Sequence, residues 1–332
     1  MRPAFNARLV NGPLFDPVVH ARLINRREAL LFDCGHFLKL ANREMLRLNS
    51  VFVSHMHMDH FMGFDRVLRA VLHREKPLHV YGPEGVTHAV ISRLSSYTWN
   101  LAADYPLSVV VHEIHDREEL VCTASARGAF APSALKRRPR RGHTVEESPH
   151  YCVDTVVLDH NVPCLGFVLR EHVHIHIRPD ALGRIGCRAG EWLGVLREKI
   201  ALGLLDDPVE VPVGDAFVEM TAGRLMEEIA LTAPGQKMAF FTDFRASREN
   251  IERVCEIAHG ADLLFIETYY LADREGEAYA KGHLSARQAG ALARMLEVSK
   301  VVPMHVSPRY HDRLPDIVCE LDGAWHGHCG GL

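Results

Sequence analysis

The sequence predicts an α/β fold in which helices pack outside a sheet. Three observations carry that expectation. Apolar strand-like runs alternate with helical spacing to about residue 100; a block rich in His and Asp stands directly behind one apolar strand; and three strands in the last hundred residues each run out at a polar residue.

The first of these strands is 29–35, Ala-Leu-Leu-Phe-Asp-Cys-Gly, which stops at a turn with Asp33 and Gly35. The spacing then allows a short helix over 36–48. Val51-Phe52-Val53 reads as a buried strand, and it delivers Ser54-His55-Met56-His57-Met58-Asp59-His60 at its end. Phe64, Val67, Leu68 and Val71 recur at helical spacing over 61–73, and 78–83 is a strand running into a Gly-Pro turn.

Residues 112–150 break the rhythm. Lys136-Arg137-Arg138-Pro139-Arg140-Arg141 sets five cations and a proline in six positions, so no core element is expected there. The run reads as a solvated basic loop or, more sharply, as a phosphate-contacting arm for RNA. Thr155–His160 is again an apolar strand ending in histidine, with 166–169 its neighbour. His172, His174 and His176 alternate with Val173, Ile175 and Ile177 and so share one strand face, which predicts a half-exposed polar face rather than a metal site. Residues 180–235 are expected to be an inserted arm or cover, with Trp192, Val195, Leu196 and Ile200 on one helical face. Beyond it, three strands end at Asp243, Glu267 and His305. A core Asp or Glu is costly to bury unpaired, so ligands arriving from several strand ends on one sheet edge are the economical reading.

The 332 residues are expected to form a single domain, 1–332, carrying the 112–150 and 180–235 insertions. With 38 basic against 42 acidic residues, no global field marks a nucleic-acid or membrane partner. Residues 1–6 contain no apolar leader core, and nowhere do eighteen apolar residues run together. The expectation is a cytoplasmic, soluble protein without a membrane partner. Eight cysteines, at 34, 122, 152, 164, 187, 255, 319 and 329, include no C-x-x-C pair, which predicts reduced thiols rather than a disulfide framework.

H-x-H-x-D-H places four ligand-type side chains in six residues. Completing two metal shells from the strand ends gives His55, His57 and His160 around one cation and Asp59, His60 and His305 around a second. Asp243 bridges them. Nitrogen and carboxylate donors without thiolate suit Zn²⁺, with Mn²⁺ and Fe²⁺ open. Two such ions roughly 3.5 Å apart activate water and neutralise an attacked phosphoryl or carbonyl group, which is hydrolytic chemistry. His283 stands just ahead of a helix that starts at the capping box Ser285 and Gln288. Either it packs beside the cap, or it protonates a leaving oxygen with Glu267 orienting its ring.

Phe32-Asp33-Cys34-Gly35, the H-x-H-x-D-H block, Val80–Gly85, Leu158-Asp159-His160, Val162-Pro163, Gly166-Phe167, Asp243, Glu267-Thr268, Gly282-His283 and His305-Val306-Ser307-Pro308-Arg309-Tyr310 together resemble the metallo-β-lactamase superfamily and, within it, the ribonuclease Z branch. The resemblance implies a four-layer αββα sandwich with a dimetal site at one sheet edge. It implies His55, His57, Asp59, His60, His160, Asp243 and His305 as ligands, with Asp59 also steering the nucleophile and Glu267 and His283 serving the departing 3′ oxygen. It further implies a homodimer that removes the 3′ trailer of precursor tRNA or cuts another RNA. The chain departs from the family pattern at His36-Phe37-Leu38, at Thr242-Asp243-Phe244 and at Arg188–Gly194, where an acid stands in place of the arm's proline. The alternative keeps the site and changes the substrate: a cyclic nucleotide or other small phosphodiester, or further afield a sulfate, lactone or thioester.

Overall fold

Leu30, Leu31 and Phe32 have apolar neighbours on both sides because their strand lies between a helical layer and a second sheet. The computed structural model describes residues 3–327 apart from 25 and 215; Met1, Arg2 and Cys329 lie outside the described residues. The chain divides into two compact units. The larger comprises Phe5–His143, Asp154–Val168 and the chain from Met238 onward; the smaller comprises chiefly Thr144–Val153 and Leu169–Lys237.

In the larger unit the first sheet runs in sequence order: β1 (Phe5–Leu9), β2 (Val19–Leu23), β3 (Ala29–Phe32), β4 (Leu48–Phe52), β5 (Leu78–Gly82), β6 (Ser108–Ile114), β7 (Glu118–Ser125) and β8 (Lys136–Pro139). Strands β3 to β6 are parallel, so their carboxyl ends share one edge. Between them lie α1 (Asn42–Met45), α2 (Met58–Phe61), α3 (Phe64–Val71) and α4 (Val86–Ser95). The expected 36–48 helix is only α1, with an irregular stretch ahead of it. The basic run expected as a loop is the edge strand β8, paired antiparallel with β7 and exposed throughout. Lys and Pro on an edge discourage pairing with a further strand, which reconciles the composition with the geometry.

The smaller unit holds β9 (Thr144–Glu147) and takes in one end each of β10 (Tyr151–Asp159) and β11 (Pro163–Glu171). It continues with β12 (Val173–Ile177), α5 (Pro179–Arg184), α6 (Trp192–Ala201), β13 (Pro208–Val213), β14 (Ala216–Thr221), α7 (Ala222–Ile229) and β15 (Ala230–Pro234). It has its own core of Ile175, Trp192, Leu193, Leu196, Val209, Val211, Leu225 and Ile229. On α6 the buried face is Trp192, Leu193 and Leu196; Val195, expected on it, is 47% exposed. Position 195 is three beyond Trp192, but Leu193 and Leu196 have turned the stripe away from it. Along β12, Ile175 and Ile177 are buried while His176 is exposed and His174 half-buried.

The chain then returns to the larger unit through β16 (Lys237–Phe241), α8 (Arg248–Ala258), β17 (Leu263–Glu267), α9 (Glu275–Lys281), α10 (Ala286–Met295), β18 (Val301–Met304) and α11 (Leu314–Trp325). Strands β16, β17 and β18 are parallel, and β11 and β10 lie beyond β16 in the same sheet. Phe32 and Phe52 of the first sheet meet Phe167 and Phe240 of the second at ring-centroid distances of 5.4 to 6.0 Å. Each such pair contributes about 0.5–1.5 kcal/mol beyond the area it buries. Alternate residues Leu31, Val51, Val53 and Val80 face outward to Phe64, Val67, Val71 and Val90 of α3 and α4. On the far side Ala239, Leu264 and Ile266 pack with Val254, Ala289, Leu292 and Leu321 of α8, α10 and α11. The layers are therefore helix, sheet, sheet, helix, the four-layer αββα sandwich expected. The seven described cysteines are free, as predicted, and no helix among the described residues is long and apolar enough to cross a membrane.

Candidate metal centre

Five strands run out at the same edge of the larger unit, and each hands over a polar side chain. Beyond β4 come Ser54 and His55, and α2 opens with Asp59 and His60; β10 is followed by His160, β16 by Asp243, and β18 by His305, while β17 ends in Glu267. Asp33, Asp243 and His305 adopt positive φ of 55°, 50° and 51°. That conformation is disfavoured for residues with a Cβ, and it is found at sites where the surrounding structure fixes a side chain's aim. Gly35 is required nearby, since a Cβ there would lie 2.1 Å from the Asp59 carbonyl oxygen.

The structure gathers every residue predicted for the site. Ligand-type atoms of His55, His57 and His160 form one group, those of Asp59, His60 and His305 another, and Asp243 joins His55 and His60 in a third. Asp243 Oδ2 lies 3.4 Å from His55 Nε2 and 2.9 Å from His60 Nε2. Asp59 Oδ2 lies 3.5 Å from His60 Nε2 and 3.2 Å from His305 Nε2. The Nε2 atoms of both His55 and His60 are buried without a hydrogen-bond partner, because the approach to Asp243 is close but not aligned for one. Two donors that face each other unaligned at this separation fit a shared cation: with bonds of ~2.05 Å, tetrahedral ligand atoms sit about 3.3 Å apart. The residues present therefore fit divalent metal ions.

Behind the cluster, other groups fix which ring nitrogen is free. Asp33 Oδ2 is 2.7 Å from His60 Nδ1 and accepts from Ser54 Oγ at 2.8 Å, while its Oδ1 accepts from the Ser54 backbone N–H at 2.6 Å. His160 Nδ1 donates to the Gly282 carbonyl oxygen at 2.7 Å. Gly282 has φ of +75°, and a Cβ on it would press on that imidazole at 2.8 Å. His305 Nδ1 contacts Asp243 Oδ1 at 2.6 Å, leaving Nε2 toward Asp59. Burial, then the neighbouring His60, pushes His55 down to about 2, so the ring is neutral. Burial would also lower His60, but Asp243 and Asp33 outweigh it and hold the ring well above its ordinary value. In His305 the same contest, with Asp243 and Asp59 opposing burial, ends at about 9. Without cations, the carboxylates thus attract protons where positive charge belongs.

His283 and Glu267 form the second half of the site. Glu267 is fully buried; its Oε2 lies 2.8 Å from His283 Nδ1 and its Oε1 accepts from the Phe244 N–H at 3.0 Å. Asp243 Oδ1 lies 3.4 Å from the same His283 nitrogen. Burial works against the charged imidazole, but Glu267 and Asp243 prevail and raise His283 to about 10. Tyr269 stacks on the ring, with centroids 4.0 Å apart and planes at 8°. The capping box at Ser285 and Gln288 is present. His283 stands ahead of this cap and also contacts Glu267 and Asp243.

Sequence reasoning passed over Tyr269, the bond from Asp33 to His60 and the Gly282 carbonyl. Asp33 ends an apolar strand as Asp243 and Glu267 do, and that signal was there to use. Tyr269 and Gly282 carry none, since their roles arise only from tertiary juxtaposition.

No protein-family model matches the chain. Ribonuclease Z of Deinococcus radiodurans is 31% identical over 287 residues, covering 85% of this chain and 83% of that protein. The crystal structure of human tRNase Z, short form, superposes with a TM-score of 0.53 at 15% identity, over 92% of this chain and 93% of that one. The metallo-β-lactamase fold protein YhfI of Bacillus subtilis superposes with a TM-score of 0.53 at 13% identity, over 96% of this chain and 92% of that one.

Proposed function

The chain belongs to the ribonuclease Z family of metallo-β-lactamase-fold hydrolytic nucleases, and from that premise we propose that it is the metal-dependent endoribonuclease that removes the 3′ trailer of precursor tRNA. The observation that carries the reading is the His283 and Glu267 pair seated against Asp243 at the edge of the donor cluster. A site built only to store metal has no use for a buried carboxylate that keeps a neighbouring histidine protonated.

His55, His57 and His160 would hold one cation, Asp59, His60 and His305 the other, with Asp243 between them; zinc suits the donor set. Bound there, two divalent cations supply Lewis-acid neutralisation of a phosphodiester and a water made nucleophilic near neutral pH. The protein's own residues do the rest. Asp59, with a side chain 44% exposed, orients the attacking water and takes its proton. On the opposite side of the phosphorus the P–O3′ bond breaks, and His283 delivers its Nε2 proton to the leaving 3′ oxygen. Glu267, on Nδ1, holds that ring in the charged form, and Tyr269 fixes its plane. His57 is exposed beside Asp59, so the cluster opens to solvent on the side where RNA must enter.

Sequence recognition is not needed for the chemistry, but backbone contact is. Lys136, Arg138 and Arg141 are exposed and make no ion pair among the described residues, whereas Arg137 is matched to Glu118 at 2.8 Å. Strand β8 runs parallel to β6, so its Pro139 end lies toward the same sheet edge as the metal cluster. We assign it to RNA phosphates, and the working unit to a homodimer.

The test is to incubate zinc-loaded protein with a 3′-extended precursor tRNA beside a small chromogenic phosphodiester and map the cut. A single cut after the discriminator base, lost in His283→Ala, is expected. Turnover of the small diester with the tRNA left intact would contradict the assigned substrate.

A further inference from the structure

On the face of the first sheet away from the second, at the β1 and β2 edge, the side chains of Asn6, Arg8, His20 and Arg22 stand together. The antiparallel register sets Asn6 opposite Arg22 and Arg8 opposite His20, so all four project from one face. Helix α1 and its exit add Arg43, Glu44 and Arg47. These seven residues line a cavity of about 320 Å³. That is room for roughly ten waters at ~30 Å³ each, enough for a phosphate or diphosphate group.

Its charge is unbalanced. Four guanidiniums face one carboxylate, Glu44, which is committed to Arg8 at 3.0 Å and also accepts from the Ala41 N–H. Arg22, Arg43 and Arg47 form no ion pair or side-chain hydrogen bond among the described residues, in a chain whose net charge is −4. The cavity floor is the second, independent sign. His20 is 2% exposed, and its Nε2 is buried without a hydrogen-bond partner. A buried orphan nitrogen is costly unless something meets it. Burial foremost, with Arg8 and Arg22 adding to it and Glu44 opposing, lowers this imidazole to about 4. An anion between the guanidiniums would reverse that balance.

Guanidiniums in this number favour one ligand chemistry, since their planar forks match phosphate oxygens bidentately. The site is not part of the metal centre: Arg22 pairs with Ala29 and the Arg47 carbonyl accepts from the Ala29 N–H, both at the start of β3, whereas the metal cluster lies beyond the ends of β3 and β4. We infer that Arg8, Arg22, Arg43, Arg47 and His20 form a phosphate-binding pocket separate from the catalytic centre, taking the phosphate group of a phosphorylated small molecule or of an RNA backbone. This inference does not depend on the hydrolase reading.

The experiment follows the His20 ring nitrogens by NMR in the full, zinc-loaded chain titrated with inorganic phosphate. Saturable movement of the His20 signals is expected, with its protonation midpoint rising from about 4. Affinity should fall about tenfold or more in Arg22→Gln/Arg43→Gln, as expected for losing charge-assisted contacts. Both arginines are exposed and unpaired, so the variant keeps its fold, and an unchanged backbone spectrum checks that. A mature tRNA added as competitor separates the two sources: displacement of phosphate from His20 identifies the RNA backbone, and its persistence identifies a free phosphorylated ligand. No His20 response to millimolar phosphate, or a response indifferent to the double substitution, would overturn the pocket, whatever the RNA-cleavage result.

Discussion

His57 and His60 belong to one block of six residues, yet their surroundings are opposite. His60 is fully buried, with Asp33 on Nδ1 and Ser54 bracing Asp33. His57 is exposed and makes no side-chain hydrogen bond among the described residues; its ring lies beside those of His55 and His160, at centroid distances of 4.3 and 5.3 Å. A braced ring has already given up its rotamer freedom and tautomer choice, so a cation finds it ready; an unbraced ring surrenders them on binding. The two rings thus suit different tasks. We propose that His60 is a fixed anchor of the centre and that His57 stands on the side through which substrate arrives.

Removing Asp243, which lies between the two donor groups, should cost most. Asp243→Ala should abolish both metal loading and turnover, seen by metal analysis and cleavage assay on one sample; a variant that keeps both ions breaks the proposed bridge. Next, His283→Ala should lower kcat by roughly 10²–10⁴, the usual worth of general acid catalysis, with metal content unchanged. Loss of metal in that variant would make His283 a ligand instead. The ring is raised to about 10 from an ordinary value near 6.5. Its contribution to folding of the metal-free chain is therefore complete below pH ~6.5 and lost as pH climbs through about 10, and the acid role runs out as pH rises. Glu267→Gln removes the foremost group opposing burial, so the alkaline fall in kcat should begin at lower pH. An unmoved pH profile would leave Glu267 purely structural.

Asp33→Ala tests the difference between His57 and His60 directly. It should weaken the His60 cation about 10–100-fold while leaving the His57 cation near its original affinity. Equal weakening of both would mean that the anchor and the open side are not separate. The smallest effect on chemistry belongs to β8. Changing Lys136, Arg138 and Arg141 to Gln should leave small-diester turnover intact and flatten the salt dependence of RNA binding by about 2–3 in slope. An unchanged slope would return β8 to the simple role of a guarded sheet edge.

What could be read from the sequence follows the same division. The H-x-H-x-D-H block was legible because its four side chains are neighbours along the chain, and Asp243, Glu267 and His305 because a carboxylate or imidazole at the end of a buried strand needs a reason to be there. The sandwich was legible as alternating strands and helices, with its four layers coming from the family resemblance. Residues 136–139 were not legible as a strand, since pairing with β7 overrides a composition that reads as loop. Val195 failed because a helical stripe has a width and a drift, and a list of apolar positions cannot say which of them sits at its margin. Tyr269 and the Gly282 carbonyl become functional only when β17 and the turn before α10 are brought against the metal edge.

Whether two cations joined through Asp243 occupy this edge is decided by a metal titration of the apo full chain followed by analysis after dialysis. Two zinc ions per chain are expected, the more tightly held one lost selectively in Asp33→Ala. A single ion at saturation in a fully active enzyme would contradict it.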